Sequence, residues 1–412
     1  MRDAILLLRG RPRFRRLWLG NLISQLGDWV GWVAVSVLAL GSGSEGGAAL
    51  DLALVFLAHN VPAAALAPLA GPLADRMDRR ALLLATTAAS FALTLVMAVA
   101  AACGAIWLVP LSLLARSAVT AFFTPAERAA LPRLVAREEL LLAGALDAVT
   151  WSVAFALGMA AGGVLSLLGP VTALLLDAGS FALALALLWG LPAMRPDRSV
   201  QTGRERAGAR RAIGAAISYA LPRPRLTRAV LAKAPFALAA GAAWLALNLV
   251  AADVEAAGGV AVGLGLGLLH AARGVGAGIG PVLAARLART SRSRDRAWRA
   301  LFLTGLAAMG LFVVAPSGPW LLLLAALWGV GAGANWVLSS EAQQRLGPDA
   351  LLGRLGALDH CCFVIAQSVA VLGAALLVER GLGRAGAAAP FLVAAALLWW
   401  ALERRVKWSD VS

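Results

Sequence analysis

This sequence is short of charge. Asp, Glu, Lys and Arg make up 14% of its 412 residues, against ~25% in soluble domains. With 60% hydrophobic residues and a mean hydropathy of +0.79, most of the chain has lipid as its solvent. Lysine is nearly missing: Lys233 and Lys407 stand against 35 arginines. The arginines fall in short gaps between apolar runs and are not interleaved with aromatics in a polar domain. A net charge of +15 therefore does not read as a nucleic-acid interface. Cys103, Cys361 and Cys362 are the three cysteines, all in or beside apolar runs, which excludes a disulfide framework or a C-x-x-C pair. No phosphate-cradling G-x-x-x-x-G-K loop occurs, so ATP coupling through such a loop is not encoded. No cofactor and no metal site are expected. The first apolar run is about 24 residues long and lacks a small-residue cleavage site, so it is expected to stay as a spanning helix.

What is present is a series of apolar runs. They cover 17–40, 49–70, 81–102, 105–124, 140–166, 170–191, 229–250, 259–285, 300–316, 320–340, 355–378 and 386–402. Most reach the ~20 residues that a ~30 Å hydrocarbon core requires. Numbering the gaps alternately from the N-terminus, one side collects 32 of the Lys and Arg residues and the other only Arg380 and Arg384. By the positive-inside rule both termini are expected in the cytoplasm. The expected fold is an all-α membrane protein with twelve transmembrane helices in two pseudo-symmetric six-helix bundles. These would be residues 1–191 and 229–412, joined by a Pro-, Gly- and Arg-containing cytoplasmic linker at 192–228.

The halves echo each other. GPLADRMDRR at 71–80 is answered by GPVLAARLAR at 280–289, and GALD at 144–147 by GALD at 356–359. Each pair falls at an equivalent place, as in a duplicated six-helix unit.

This plan resembles the major facilitator superfamily. Gly71, Leu73, Asp75, Arg76, Arg79 and Arg80 match its loop motif G-x-L-a-D-r-x-G-r-r, with Asp78 where the family often has Gly. The resemblance implies a cytoplasmic latch at this loop. Arg116 resembles the basic residue of a second motif, with Thr120 in place of its glycine. Gly158, Gly162 and Gly163 resemble the helix-5 exporter motif G-P-x-x-G-G, with Met159 replacing the proline. The stretches FRRLWLGNLISQLGDW at 14–29, FFTPAERAALPRLV at 122–135 and LLGRLGAL at 351–358 resemble the bacterial exporter branch of enterobactin and macrolide efflux proteins.

The residues that carry chemistry are those that lipid tolerates least. Asp28 lies ~17 Å along a helix from the start of its run, near the bilayer centre. A charge there costs ~2.5–3.5 kcal/mol on insertion scales and is a functional-site candidate by default. Arg116 has similar depth, and the resemblance puts both helices on a central cavity. Asp28 is therefore expected to exchange a proton and Arg116 to modulate it, a permanent structural pair being the other reading. Arg273 requires a partner, with Asp177 and Asp28 as candidates. His270 is a possible proton relay. Gln25, Trp29, Trp32, Asn335 and Trp336 complete the cavity candidates. The glycines allow close helix approach, and the resemblance adds a seal between helices 5 and 8.

The expected function is proton-coupled efflux of a small, partly apolar compound by alternating access. It would be carried out by a monomer in the bacterial inner membrane, with protons, substrate and lipid as partners. Import or lipid flipping on the same fold is the alternative. A third reading, a polytopic acyltransferase, would use His360 with Cys361 or Cys362. It lacks the many further Cys and His residues that such enzymes carry, so no enzyme is expected.

Overall fold

The computed structural model describes residues 2–41, 47–195, 209–288, 290–348 and 351–406. Among them, twelve helices are long and apolar enough to cross a membrane. Their main helices are α1 (Pro12–Leu40), α2 (Ala48–Arg76), α3 (Arg79–Ala102), α4 (Leu108–Thr120), α5 (Leu140–Leu165) and α6 (Pro170–Trp189), followed by α7 (Lys233–Ala256), α8 (Val262–Leu287), α9 (Ser291–Val314), α10 (Trp320–Leu346), α11 (Leu352–Glu379) and α12 (Arg384–Arg405). The span at α4 is longer than that helix and runs on to Arg133, and the span at α7 begins at Pro224. In lipid every backbone amide must be satisfied within its own segment, and continuous helices do this.

Several ends differ from the apolar runs. α9 starts at Ser291, nine residues before its run, because Thr290 and Ser293 form a capping box there. α4 breaks after Thr120 and resumes as the short helix Phe123–Ala130. The stretch expected as linker contains two helices, Ala209–Ala220 and Pro224–Leu231. Ala216, Ala220, Leu226 and Val230 form a small core there with Leu355. Amphipathic spacing, not length, makes these segments helical. A further short helix, Arg2–Gly10, precedes α1.

The chain forms two compact units, Met1–Ser42 with Leu57–Glu205 and Gly43–Phe56 with Arg206–Ser412. In the first, α1 packs on α5 and α6, and α3 packs on α4 and α6. In the second, α7 packs on α11 and α12, and α9 packs on α10. The same pairings recur at matched helices, as a duplicated unit would give.

Small residues set the closest approaches. Gly276 and Gly280 of α8 lie against the backbone of α10, and Gly329 and Gly333 of α10 lie against the backbone of α8. A Cβ at any of the four would strike a main-chain atom. The i, i+4 spacing on both helices is the small-xxx-small arrangement. These α8 glycines therefore serve packing inside their own unit. Gly158 and Gly162 of α5 do the same against α1: a Cβ on Gly158 would lie 2.7 Å from Cβ of Trp29, and one on Gly162 would lie 3.0 Å from Cα of Val30. Gly163 is buried.

Candidate functional site

In the first unit, three ionisable side chains from three helices converge. Arg116 of α4 sends one nitrogen, Nη1, to Asp28 Oδ1 of α1 at 3.0 Å and to Asp177 Oδ2 of α6 at 2.9 Å. The same nitrogen donates to Thr94 Oγ1 of α3 at 3.2 Å, and Phe181 lies under the guanidinium. The acids differ in setting. The Asp28 side chain is 31% exposed, whereas that of Asp177 is fully buried and Arg116 is 4% exposed. Asp177 Oδ1 has no hydrogen-bond partner.

Local sequence explains how Asp177 fits. Gly27 and Gly31 are one turn apart on α1 and face α6. A Cβ on Gly31 would overlap the Asp177 carboxylate, and one on Gly27 would overlap Ser180. Glycine at both positions lets α6 bring a carboxylate against the α1 backbone, one turn from Asp28. Asp177 and Asp28 were the two acids expected to answer Arg273; Arg116 takes both. Arg273 belongs to the second unit, where its guanidinium lies over the Trp328 ring at 4.9 Å. His270 is buried on the same helix, α8.

The aromatic candidates separate. Trp29 is edge-on to Phe155 at 4.7 Å and to Trp151 at 6.1 Å, so its ring belongs to the α1–α5 contact. Trp32 is buried and meets His59 of α2 at 4.8 Å. The His59 carbonyl accepts from Ser117, the neighbour of Arg116. Trp336 is 47% exposed and lies under the Lys233 ammonium. Asn335 is committed to packing: its oxygen accepts from Trp298 Nε1 at 2.8 Å, and its amide donates to the Ala232 carbonyl at 3.2 Å.

Gln25 leads to a polar cluster that the sequence reading missed. Its amide donates to Asn21 Oδ1 at 2.9 Å. Asn21 in turn donates to Glu127 at 2.7 Å and to Asp147 at 3.3 Å. In the second unit Lys233 pairs with Asp359 and donates to Ser340 at 3.1 Å. The GALD repeat offered the signal. It puts Asp147 and Asp359 at equivalent positions 212 residues apart, and the same shift carries Asn21 onto Lys233. One α1–α5 contact thus recurs at α7–α11 with an amide replaced by an amine. Asp359, beside the His360-Cys361-Cys362 string, is held by that amine, and His360 stacks on Phe363 at 6.2 Å.

The stretch expected as a loop is the last turns of α2 followed by Met77 and Asp78; there Leu73 and Arg76 are exposed, while the side-chain positions of Gly71 and Asp75 lie outside the described residues. Asp78 caps α3, accepting from the backbone amides of Arg80 at 2.9 Å and Ala81 at 3.3 Å. That is a physical reason for Asp where the motif has Gly. Arg80 donates to the Trp189 carbonyl at 2.8 Å and Arg79 to that of Met194 at 3.2 Å. Arg16 donates to the Gly190 carbonyl at 2.7 Å. Cations at the C-terminal end of α6 suit its dipole.

A family profile described as transmembrane secretion effector matches residues 8–400. The MFS-type transporter YfiS of Bacillus subtilis (strain 168), itself uncharacterized, is 26% identical over 226 residues. That match takes in 55% of this chain and 53% of YfiS, so the chain spans about half the length of the curated relative it matches. Solved structures share the fold. The nucleoside transporter NupG superposes with a TM-score of 0.71 at 14% identity, over 95% of this chain and 99% of that one. A bacterial homologue of the iron transporter ferroportin, inward-facing, gives 0.73 at 16%, over 96% and 98%. A bacterial homologue of the human lysosomal transporter Spinster gives 0.70 at 15%, over 95% and 97%.

Proposed function

The chain belongs to the transmembrane secretion effector family of the major facilitator superfamily, as a multi-pass membrane transporter, and on that footing we propose that it exports a small, partly apolar compound by alternating access in exchange for protons. The observation that carries this reading is one guanidinium shared by two carboxylates. Two negative charges against one positive leave the trio one charge from balance, in a setting where imbalance is costly. A proton arriving at the partly exposed Asp28 balances it and leaves Arg116 to Asp177 alone. Its departure restores the shared contact. Asp28 is therefore the proton site, Arg116 the group that senses its charge, and Asp177 the fixed counter-charge.

Both termini and the arginine-rich gaps lie on the cytoplasmic side in this reading, because the 32 to 2 division of basic residues follows the positive-inside rule. The repeats are residues 1–191 and 229–412, and the α2–α3 loop is the cytoplasmic latch. Import is the second reading, favoured by Met159 where the exporter motif has proline.

Purified protein in liposomes with a pH-sensitive dye tests the coupling. Candidate antibiotics and siderophores first come from a growth screen in a strain stripped of its own exporters. With a transported compound, wild type moves protons on substrate addition. Asp28→Asn is expected to lower substrate-driven proton flux at least tenfold, with folding intact. Normal flux in Asp28→Asn sinks the proton assignment. Accumulation by expressing cells, rather than loss, selects import.

A further inference from the structure

At the N-terminal end of α9 and the C-terminal end of α12, the second unit has a groove of about 550 Å³. That is within the ~300–1,000 Å³ of ordinary ligand sites. Arg299, Arg404 and Glu403 line it together with Leu303, Trp399 and Trp400. The arrangement is amphipathic. Leu303 and Trp400 are exposed along the helix faces, where lipid chains run, and the charged groups cluster at the helix ends.

The charges favour an anion. Glu403 is already engaged by Arg228 at 2.9 Å and by Arg299 at 3.1 Å, so its charge is matched within the protein. Arg228 also holds Asp295 at 2.6 Å. Arg404 remains, exposed and stacked 3.7 Å over the Trp400 ring. Arg292 and Arg296 lie at the same start of α9, against the positive end of its dipole, while Arg294 there is paired with Glu341 at 3.3 Å. Among the described residues that line the groove, Glu403 is the one carboxylate and it is matched, and Arg404 covers the aromatic face a choline would use.

We propose that this groove binds an anionic glycerophospholipid. Its phosphodiester lies between the Arg299 and Arg404 guanidiniums, and an acyl chain runs along Leu303 and Trp400. Guanidinium pairs phosphate by parallel hydrogen bonds, and basic pockets between membrane helices are where acidic headgroups settle. The chemistry is separate from the Arg116 site, so the proposal stands or falls without the transport reading.

The test uses the full chain in nanodiscs holding equal phosphatidylglycerol and phosphatidylcholine of matched chains. After gentle extraction, retained lipid is counted by native mass spectrometry. A guanidinium near a headgroup is worth about fivefold. Wild type is therefore expected to keep phosphatidylglycerol over phosphatidylcholine by at least that factor. The Arg299→Gln/Arg404→Gln pair should bring the ratio near one, and Arg299→Lys/Arg404→Lys should retain most of it. If the Gln pair does not fold, Arg404→Gln alone, at an exposed last turn, should lower the ratio severalfold. Arg9→Gln, at an exposed arginine of the first unit that does not line the groove, should leave the ratio unchanged. Equal retention by wild type overturns the proposal, as does an undiminished ratio in the Gln variants or an equal loss in Arg9→Gln. Protection against thermal unfolding by inorganic phosphate alone, equal to that by phosphatidylglycerol, would replace the lipid with a free anion.

Discussion

Gly31→Ala isolates the physical basis of the ionic cluster. The added methyl would overlap the Asp177 carboxylate, whose Cγ lies 2.9 Å from the new Cβ position. Asp177 is fully buried and cannot move to solvent. Either the carboxylate leaves Arg116 or α1 and α6 separate. Overpacking of this kind costs about 1–3 kcal/mol, and loss of one charge-assisted hydrogen bond costs about 1.5–3 kcal/mol. The variant is therefore expected to be destabilised by about 1–3 kcal/mol where the helices part, and by up to about 6 kcal/mol where the ion pair is lost as well. Gly179→Ala is the matched control. A Cβ there meets open space, although the residue is only two positions from Asp177. It should be neutral or gain up to ~1 kcal/mol from helix propensity. Thermal unfolding of the two purified variants in the same detergent makes the comparison. A double-mutant cycle sharpens it: Asp177→Ala removes the group that the methyl strikes, so Gly31→Ala should cost much less in that background. Equal unfolding of Gly31→Ala and Gly179→Ala, or additive costs in the cycle, would refute the claim that glycine is there to seat the acid.

Two other perturbations follow from the ion pairs. Lys233→Met should destabilise by about 3–5 kcal/mol because it leaves Asp359 buried without its cation; adding Asp359→Leu should recover most of that in the same unfolding assay, and failure to recover would mean the lysine acts otherwise. Glu139, outside the spanning helices, has its carboxyl held below the ordinary range first by the Ala136 amide and then by Arg11 at 2.9 Å. A depressed carboxyl contributes stability above its unfolded value, near 4.3 for Glu, and loses it as pH falls through the folded value. Wild type should therefore unfold above Glu139→Gln at neutral pH and meet it under acid, and a gap that widens in acid would contradict the pairing.

The buried charges show how much of the site was legible. Asp28 and Arg116 stand out because each interrupts an apolar run, and insertion cost alone marks them. Asp177 is marked in the same way, yet its partner is invisible locally: Arg116 lies 61 positions away. Asn335 looked like a cavity group and is a packing group, since only its neighbours Trp298 and Ala232 decide which way its amide turns. Glu127 carries no mark at all, because a polar residue in a gap between apolar runs is ordinary, and Asn21 is marked only by the 212-residue shift that carries it onto Lys233. Lys233 was marked by rarity and by the 212-residue shift.

The amino-acid order by itself determined twelve spanning helices, their duplication and the family motifs. Each of these is a sum over adjacent residues: hydropathy in a window of about twenty, or identity at fixed spacing. Tertiary structure decided which charge meets which. An ion pair forms between side chains distant in sequence, and a single added methyl on Gly31 would choose differently. Contacts of that kind depend on helix rotation and approach at the scale of one carbon atom, which no local pattern encodes.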